Sequence, residues 1–136
     1  MTINKERVRL WVDALRSGEF KQGKFFLERI MSDGSHEFCC LGVACRVAMA
    51  HGLELGIAEI PSKAFSYTVL AFKGEQGISD ACLPSIVAWW FGLSSNEPVV
   101  FHDDGTTDAL ITLNDDKEWD FNQIADILEA NFLADD

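Results

Sequence analysis

Positive charge is scarce in most of this chain: residues 51–136 contain three Lys/Arg against sixteen Asp/Glu, a net of −13. The first fifty residues contain eight against six, a net of +2, and the whole carries −11. A field of that sign repels nucleic acid from most of the surface and favours a basic partner, unless anions are held in a local pocket. No stretch reaches the eighteen or so consecutive apolar residues of a membrane-spanning helix, and MTINKERVRLW has no apolar run behind its positive charges. The expectation is a cytoplasmic protein without a membrane partner. Internal repeats, low-complexity tracts and linker-like segments are also missing. With 48% hydrophobic and 11% aromatic residues, 136 residues suffice for one core, so residues 1–136 are read as a single domain.

The four cysteines, Cys39, Cys40, Cys45 and Cys82, lack the short chelating pair of a zinc site. Only His36 and His51 could add ligands, and no metal or other cofactor is expected. Without a secretion signal, free thiols are the expected state.

Several elements announce themselves locally. Val8, Trp11, Val12 and Leu15 fall at helical spacing between Asn4 and Ser17, with Gly18 where a C-terminal cap belongs. EFKQGKFFLERIM and HEFCCLG flank an Asp33-Gly34 turn and predict a hairpin running into a helix from about Leu41 to His51, ended by Gly52. Between residues 53 and 79 one strand is expected, about Tyr67 to Phe72. LPSIVAWWFGL predicts a short apolar helix, with Pro84 in its first turn and Gly92 as its stop. VVFHDDGTTDALITLND predicts two strands about Asp104-Gly105, and DFNQIADILEANF a helix whose capping box pairs Asp120 with Gln123. Residues 133–136 are expected to fray. The pattern predicts an α+β fold, about four helices packed on antiparallel hairpins.

Three groups of residues could carry chemistry. Cys39 and Cys40 stand at the start of a helix, where the macrodipole lowers a thiol pKa, and His102 on an aromatic strand is the best-placed base for a cysteine hydrolase. Set against that, cysteine is among the most buried residue types and FCCLGVAC is otherwise apolar, so these thiols are read first as core, with no catalytic residue assigned. RSGEFKQGK gathers Arg16, Lys21, Gln22 and Lys24 around two glycines and could hold a nucleotide or other anionic small molecule, although the hydroxyl of a P-loop is replaced by Phe25. Trp89 or Trp90 could offer a stacking face, and of two adjacent tryptophans one must turn away from the other. Surface charge more commonly has no such role, and these cations could simply be solvated or pair with the acidic second half. Finally, Asp103, Asp104, Asp108, Asp115, Asp116, Glu118 and Asp120 form an acidic stretch able to face a basic host protein; it lacks the order of a calcium loop.

WVDALRSGEFKQGKFFL, FCCLGVACRVA, LPSIVAWWFGL and LNDDKEWDFNQIADILEANF, in that order, resemble a family of small uncharacterised proteins encoded by bacteriophages and prophages. The resemblance implies a protein made inside the bacterial host and outside the virion structural set. VVFHDDGTTDALITL departs from that pattern in containing a histidine. The combined expectation is an accessory protein acting by non-catalytic binding, an anti-defence inhibitor that sequesters a nucleotide signal or blocks a basic host protein.

Overall fold

A computed structural model describes residues 2–62, 66–74 and 77–134 of the chain. The first helix, α1 (Lys5–Arg16), starts where Asn4 Oδ1 accepts a hydrogen bond from the Arg7 amide at 3.1 Å. Such a cap satisfies one of the orphan donors of the first turn. Its stripe of Val8, Trp11, Val12 and Leu15 is buried as the spacing predicts.

Next come β1 (Lys21–Gln22), β2 (Glu28–Ile30) and β3 (His36–Phe38), then α2 (Cys40–Ala50). The Asp33-Gly34 hairpin forms, and β3 enters α2 with Cys39 as the cap residue. EFKQGKFFLERIM is not one strand, however: it breaks between β1 and β2, where Phe25 adopts φ 72°. β1 pairs parallel to β3, a departure from the purely antiparallel hairpins expected.

The described residues between 53 and 79 hold three strands in place of the single one predicted: β4 (Gly56–Pro61), β5 (Thr68–Gly74) and β6 (Gly77–Ser79). β4 is an edge strand whose side chains stay largely exposed, so it writes no hydrophobic alternation into the sequence; pairing with β5 creates it. The sheet runs β1-β3-β2-β5-β4, with β6 also pairing β5.

α3 (Ser85–Phe91) follows, with Pro84 at its cap position and not inside its first turn. Gly92 ends it at φ 79°, and a side chain there would overlap the Thr2 carbonyl. β7 (Val99–Phe101) and β8 (Thr107–Ala109) form a separate two-stranded ribbon. The second predicted strand then gives way to a helix, α4 (Leu110–Asp115), because Leu110, Leu113 and Asn114 are buried at helical spacing. That burial outweighs the modest helix propensity of Ile111 and Thr112. The capping box of α5 (Phe121–Leu128) is present in full, and the helix continues as a π turn over Glu129–Leu133. Leu133 packs against the core, so order extends further than expected, while 135 and 136 lie outside the described residues.

The described residues thus form an α+β fold with five α-helices. Its core joins α1, α2, α3 and α5 to Leu27, Leu70 and Phe72. Each fully buried side chain of this size contributes about 1.5–3 kcal/mol. Gly42 lets α2 sit directly on the chain entering β2, since a methyl group there would overlap the Leu27 carbonyl. Trp11 spans the same layer, its indole N–H donating to the Cys40 carbonyl at 3.0 Å. Among the described residues, no helix is long and apolar enough to cross a membrane.

Candidate functional site

Cys39, Cys40 and Cys45 are buried, and Cys82 is half-buried. Burial pushes the Cys39 thiol up to about 12, although the amides of Gly42 and Leu41 act in the opposite direction. Cys40 and Cys45 are raised as well, again by burial first. Desolvation therefore beats the helix terminus, and the depressed thiol pKa suggested by position alone does not arise. His102 is engaged elsewhere: its Nε2 lies 2.7 Å from Asp108 Oδ2, and its ring meets Trp119 edge-on at 5.6 Å. His36 Nδ1 lies 2.6 Å from Glu28 Oε2. His51 caps α2 near the Trp90 ring. Among the described residues, no three His, Cys, Asp or Glu side chains gather to hold a metal ion.

The basic residues of RSGEFKQGK do not converge on one ligand. Arg16 pairs with Asp126 at 2.6 Å and Glu129 at 3.1 Å, and the hydrogen bonds it donates to those carboxylates raise its pKa. Lys21 meets Glu37 at 3.4 Å and Lys24 meets Glu118 at 2.6 Å. The Gln22 amide donates to Asn114 Oδ1 at 2.9 Å and to the Trp119 carbonyl at 2.7 Å. Sequence proximity placed these groups together, but each has a partner on a different element. Two of the cations pair with the acidic second half, the plainer alternative for such a cluster.

The tandem tryptophans do diverge. Trp90 is 6% exposed beneath the Arg7 guanidinium, which lies 4.3 Å from its ring centre, whereas Trp89 is 58% exposed. Trp89 borders a cleft of about 500 Å³ with Ile78, Leu83, Ser85, Ile86 and Asn96. Arg16, Lys21, Gln22 and Lys24 do not line that cleft, so the proposed stacking face and the proposed phosphate ligands are separate.

Two buried polar groups had no sequence signal. Glu28 is fully buried and takes Arg46 Nε at 2.6 Å and a second Arg46 nitrogen at 2.8 Å, beside His36. Asn114, also fully buried, donates to the Gly23 carbonyl at 2.9 Å and accepts from the Cys40 amide at 3.3 Å. It ties the break after β1 to α2 and α4. Asp115 adds a bond from the Phe25 amide at 3.0 Å, which holds the strained segment down.

The acidic stretch is divided in its work. Asp104 is held by Thr106, whose hydroxyl and amide lower its pKa. Asp108 is lowered by Lys117, at 2.9 Å, and by His102. Lys24 lowers Glu118, and Asp120 caps α5. Asp103 and Asp116 are exposed and pair with no cation among the described residues. A second cleft, of about 300 Å³, opens here between the ribbon, Trp119 and α5.

Residues 3–132 match the family described as Domain of unknown function (DUF8296). No curated protein and no solved structure matches the chain.

Proposed function

We propose, for a chain that belongs to the DUF8296 family, a non-catalytic binding role: its acidic second half docks on a basic protein of a bacterial host. In this reading it is an accessory protein of a bacteriophage or prophage, made in the host cytoplasm, and the docking blocks a component of host defence. One observation carries the choice of partner. Arg16, Lys21 and Lys24 are each satisfied by carboxylates of the chain itself, whereas Asp103 and Asp116 are exposed and meet no cation among the described residues, in a half of the molecule that carries −13.

Capture from host lysate at low salt should recover a basic protein, and the yield should fall steeply as salt rises, because exposed charges are screened beyond about 10 Å at 0.1 M. Asp103→Asn with Asp116→Asn should weaken that capture without disturbing the fold, since neither carboxylate holds a described cation. Recovery of chaperones alone, or capture indifferent to both salt and the double substitution, overturns the reading.

Nucleotide sequestration is the weaker version, because Arg16, Lys21 and Lys24 would have to leave their carboxylates to meet a phosphate. A ligand at a hundred times its Kd stabilises by about 2.7 kcal/mol. A thermal-shift screen with cyclic and adenine nucleotides showing no rise removes that version. A hydrolase built on Cys39 or Cys40 with His102 requires a reactive thiolate; burial opposes it, and iodoacetamide should label half-buried Cys82 before the other three. Rapid labelling of Cys39 below pH 7 would restore the enzyme reading.

A further inference from the structure

The backbone around the second cleft is held by hydrogen bonds. Asn131, within the π turn, donates to the Phe101 carbonyl at 3.0 Å and accepts from the Phe101 amide at 2.8 Å. Its amide also donates to the Ile127 carbonyl at 2.9 Å, so one side chain fastens the edge of β7 to the end of α5. π turns within helices often mark functional positions, and here the extra residue per turn coincides with that clamp. The Phe101 backbone is thus pinned while its side chain is left 64% exposed, near a Val99 that is also exposed. Holding an aromatic ring in water forgoes the burial that would stabilise the fold, so the ring contributes little to the core.

Trp119 forms another wall. Its amide donates to the Leu113 carbonyl at 2.9 Å and its carbonyl accepts from Gln22, which fixes the backbone on both sides. Asp103 and Asp126 complete the lining with carboxylates. The neighbouring basic groups are engaged: Lys117 and His102 both meet Asp108, and Asp126 already holds Arg16 through Oδ1, so Asp103 is the lining carboxylate that meets no cation among the described residues. Two aromatic rings with two carboxylates are the complement of a flat cation. A guanidinium can stack on a ring while its N–H groups reach a carboxylate; an ammonium offers only a compact, strongly hydrated charge.

We propose that the cleft lined by Phe101, Trp119, Asp103 and Asp126 receives an arginine side chain of the basic partner. The proposal rests on the acidic-docking reading above and adds to it a residue-level preference for arginine over lysine.

The test uses the full chain and two blocked peptides of equal length, homo-arginine and homo-lysine, titrated by calorimetry at low salt. The arginine peptide is expected to bind more tightly, and Phe101→Leu, which keeps an apolar side chain but removes the ring, should cost it about fivefold and the lysine peptide less, so that the preference shrinks. Phe101→Tyr should retain the preference. Asp103→Asn should weaken both peptides. An arginine preference that survives Phe101→Leu, or equal affinities in the unaltered protein, overturns the cleft while leaving acidic docking in place. If neither peptide binds, both are overturned. Matching thermal unfolding of the Phe101 variants and the parent separates lost recognition from lost folding.

Discussion

Two hairpins in this molecule share one turn and meet opposite fates. In the first, Asp33 Oδ1 accepts from the Ser35 amide at 2.9 Å and hydroxyl at 2.6 Å, with Gly34 at φ 85°. In the second, Asp104 Oδ1 accepts from the Thr106 amide at 2.9 Å and hydroxyl at 2.6 Å, with Gly105 at φ 86°. Each hairpin runs straight into a helix, and each places a histidine against a carboxylate, His36 on Glu28 and His102 on Asp108. The first unit is absorbed into the sheet and the core: its carboxylate is fully buried and its helix carries the sealed thiols. The second remains a two-stranded ribbon with Phe101 in water and a cleft beside it. Local hydrogen bonding built the same turn twice; long-range packing made one a foundation and the other a surface.

The comparison breaks most sharply at Gly42. Gly42→Ala drives a methyl group into the Leu27 carbonyl and should destabilise the fold by about 3 kcal/mol, read by chemical denaturation. No counterpart exists in the second unit. A loss below about 1 kcal/mol would mean that α2 lifts away cheaply and that the first unit is not the foundation claimed.

Next in size is the contrast between the two histidine-bound carboxylates. Glu28→Gln leaves the Arg46 guanidinium short of its buried partner and should cost about 3 kcal/mol. Asp108→Asn disturbs a surface network of Lys117 and His102 and should lower the Tm far less. Equal losses would show that burial does not separate the two units.

Acid and alkali should pull the units apart in opposite directions. Hydrogen bonds and cations lower the pKa values of Asp104, Asp108, Glu118 and Glu129, most of them around the second unit, as well as that of Asp33. A carboxylate lowered in the folded state adds stability above its ordinary pKa, and this is lost as the pH falls through the lowered value; the unfolding midpoint should decline below about pH 4. The buried thiols work the other way. Cys39, raised from 9.0 to about 12, stays protonated in the fold while the unfolded thiol ionises, so stability should fall as the pH rises from about 9. Denaturation midpoints followed from pH 3 to 10 check both arms.

The smallest effect sharpens the likeness itself. Asp33→Ala and Asp104→Ala remove the same pair of hydrogen bonds and should lower the Tm by similar, small amounts. A much larger loss at Asp33 would mean that the sheet, and not the turn alone, depends on it.

The parts of this fold that were legible beforehand are those whose cause lies within a few residues. The apolar spacing of Val8, Trp11, Val12 and Leu15 marks α1, the Asp120 and Gln123 capping box starts α5, and Asp-Gly turns close both hairpins. β4, α4 and the break at Phe25 were not legible, because their causes are distant: pairing to β5, burial of Leu110 and Leu113, and the bond from the Phe25 amide to Asp115. The same division runs through the candidate sites. Burial of the cysteines follows from the apolar company they keep in FCCLGVAC, and the divergence of Trp89 from Trp90 from their adjacency in a helix. That Arg16, Lys21 and Lys24 point to separate carboxylates could not be read from their closeness in the chain.

By itself, the order of residues determined the hairpin turns, the capped helices, the apolar surface available for a core and the lopsided charge, since each depends on neighbouring backbone or on composition. Only the tertiary structure decided which cations are neutralised, which hairpin is buried and where Asn131 holds Phe101 open to water. Those outcomes depend on contacts between residues far apart in the chain, and no local pattern records the geometry that brings them together.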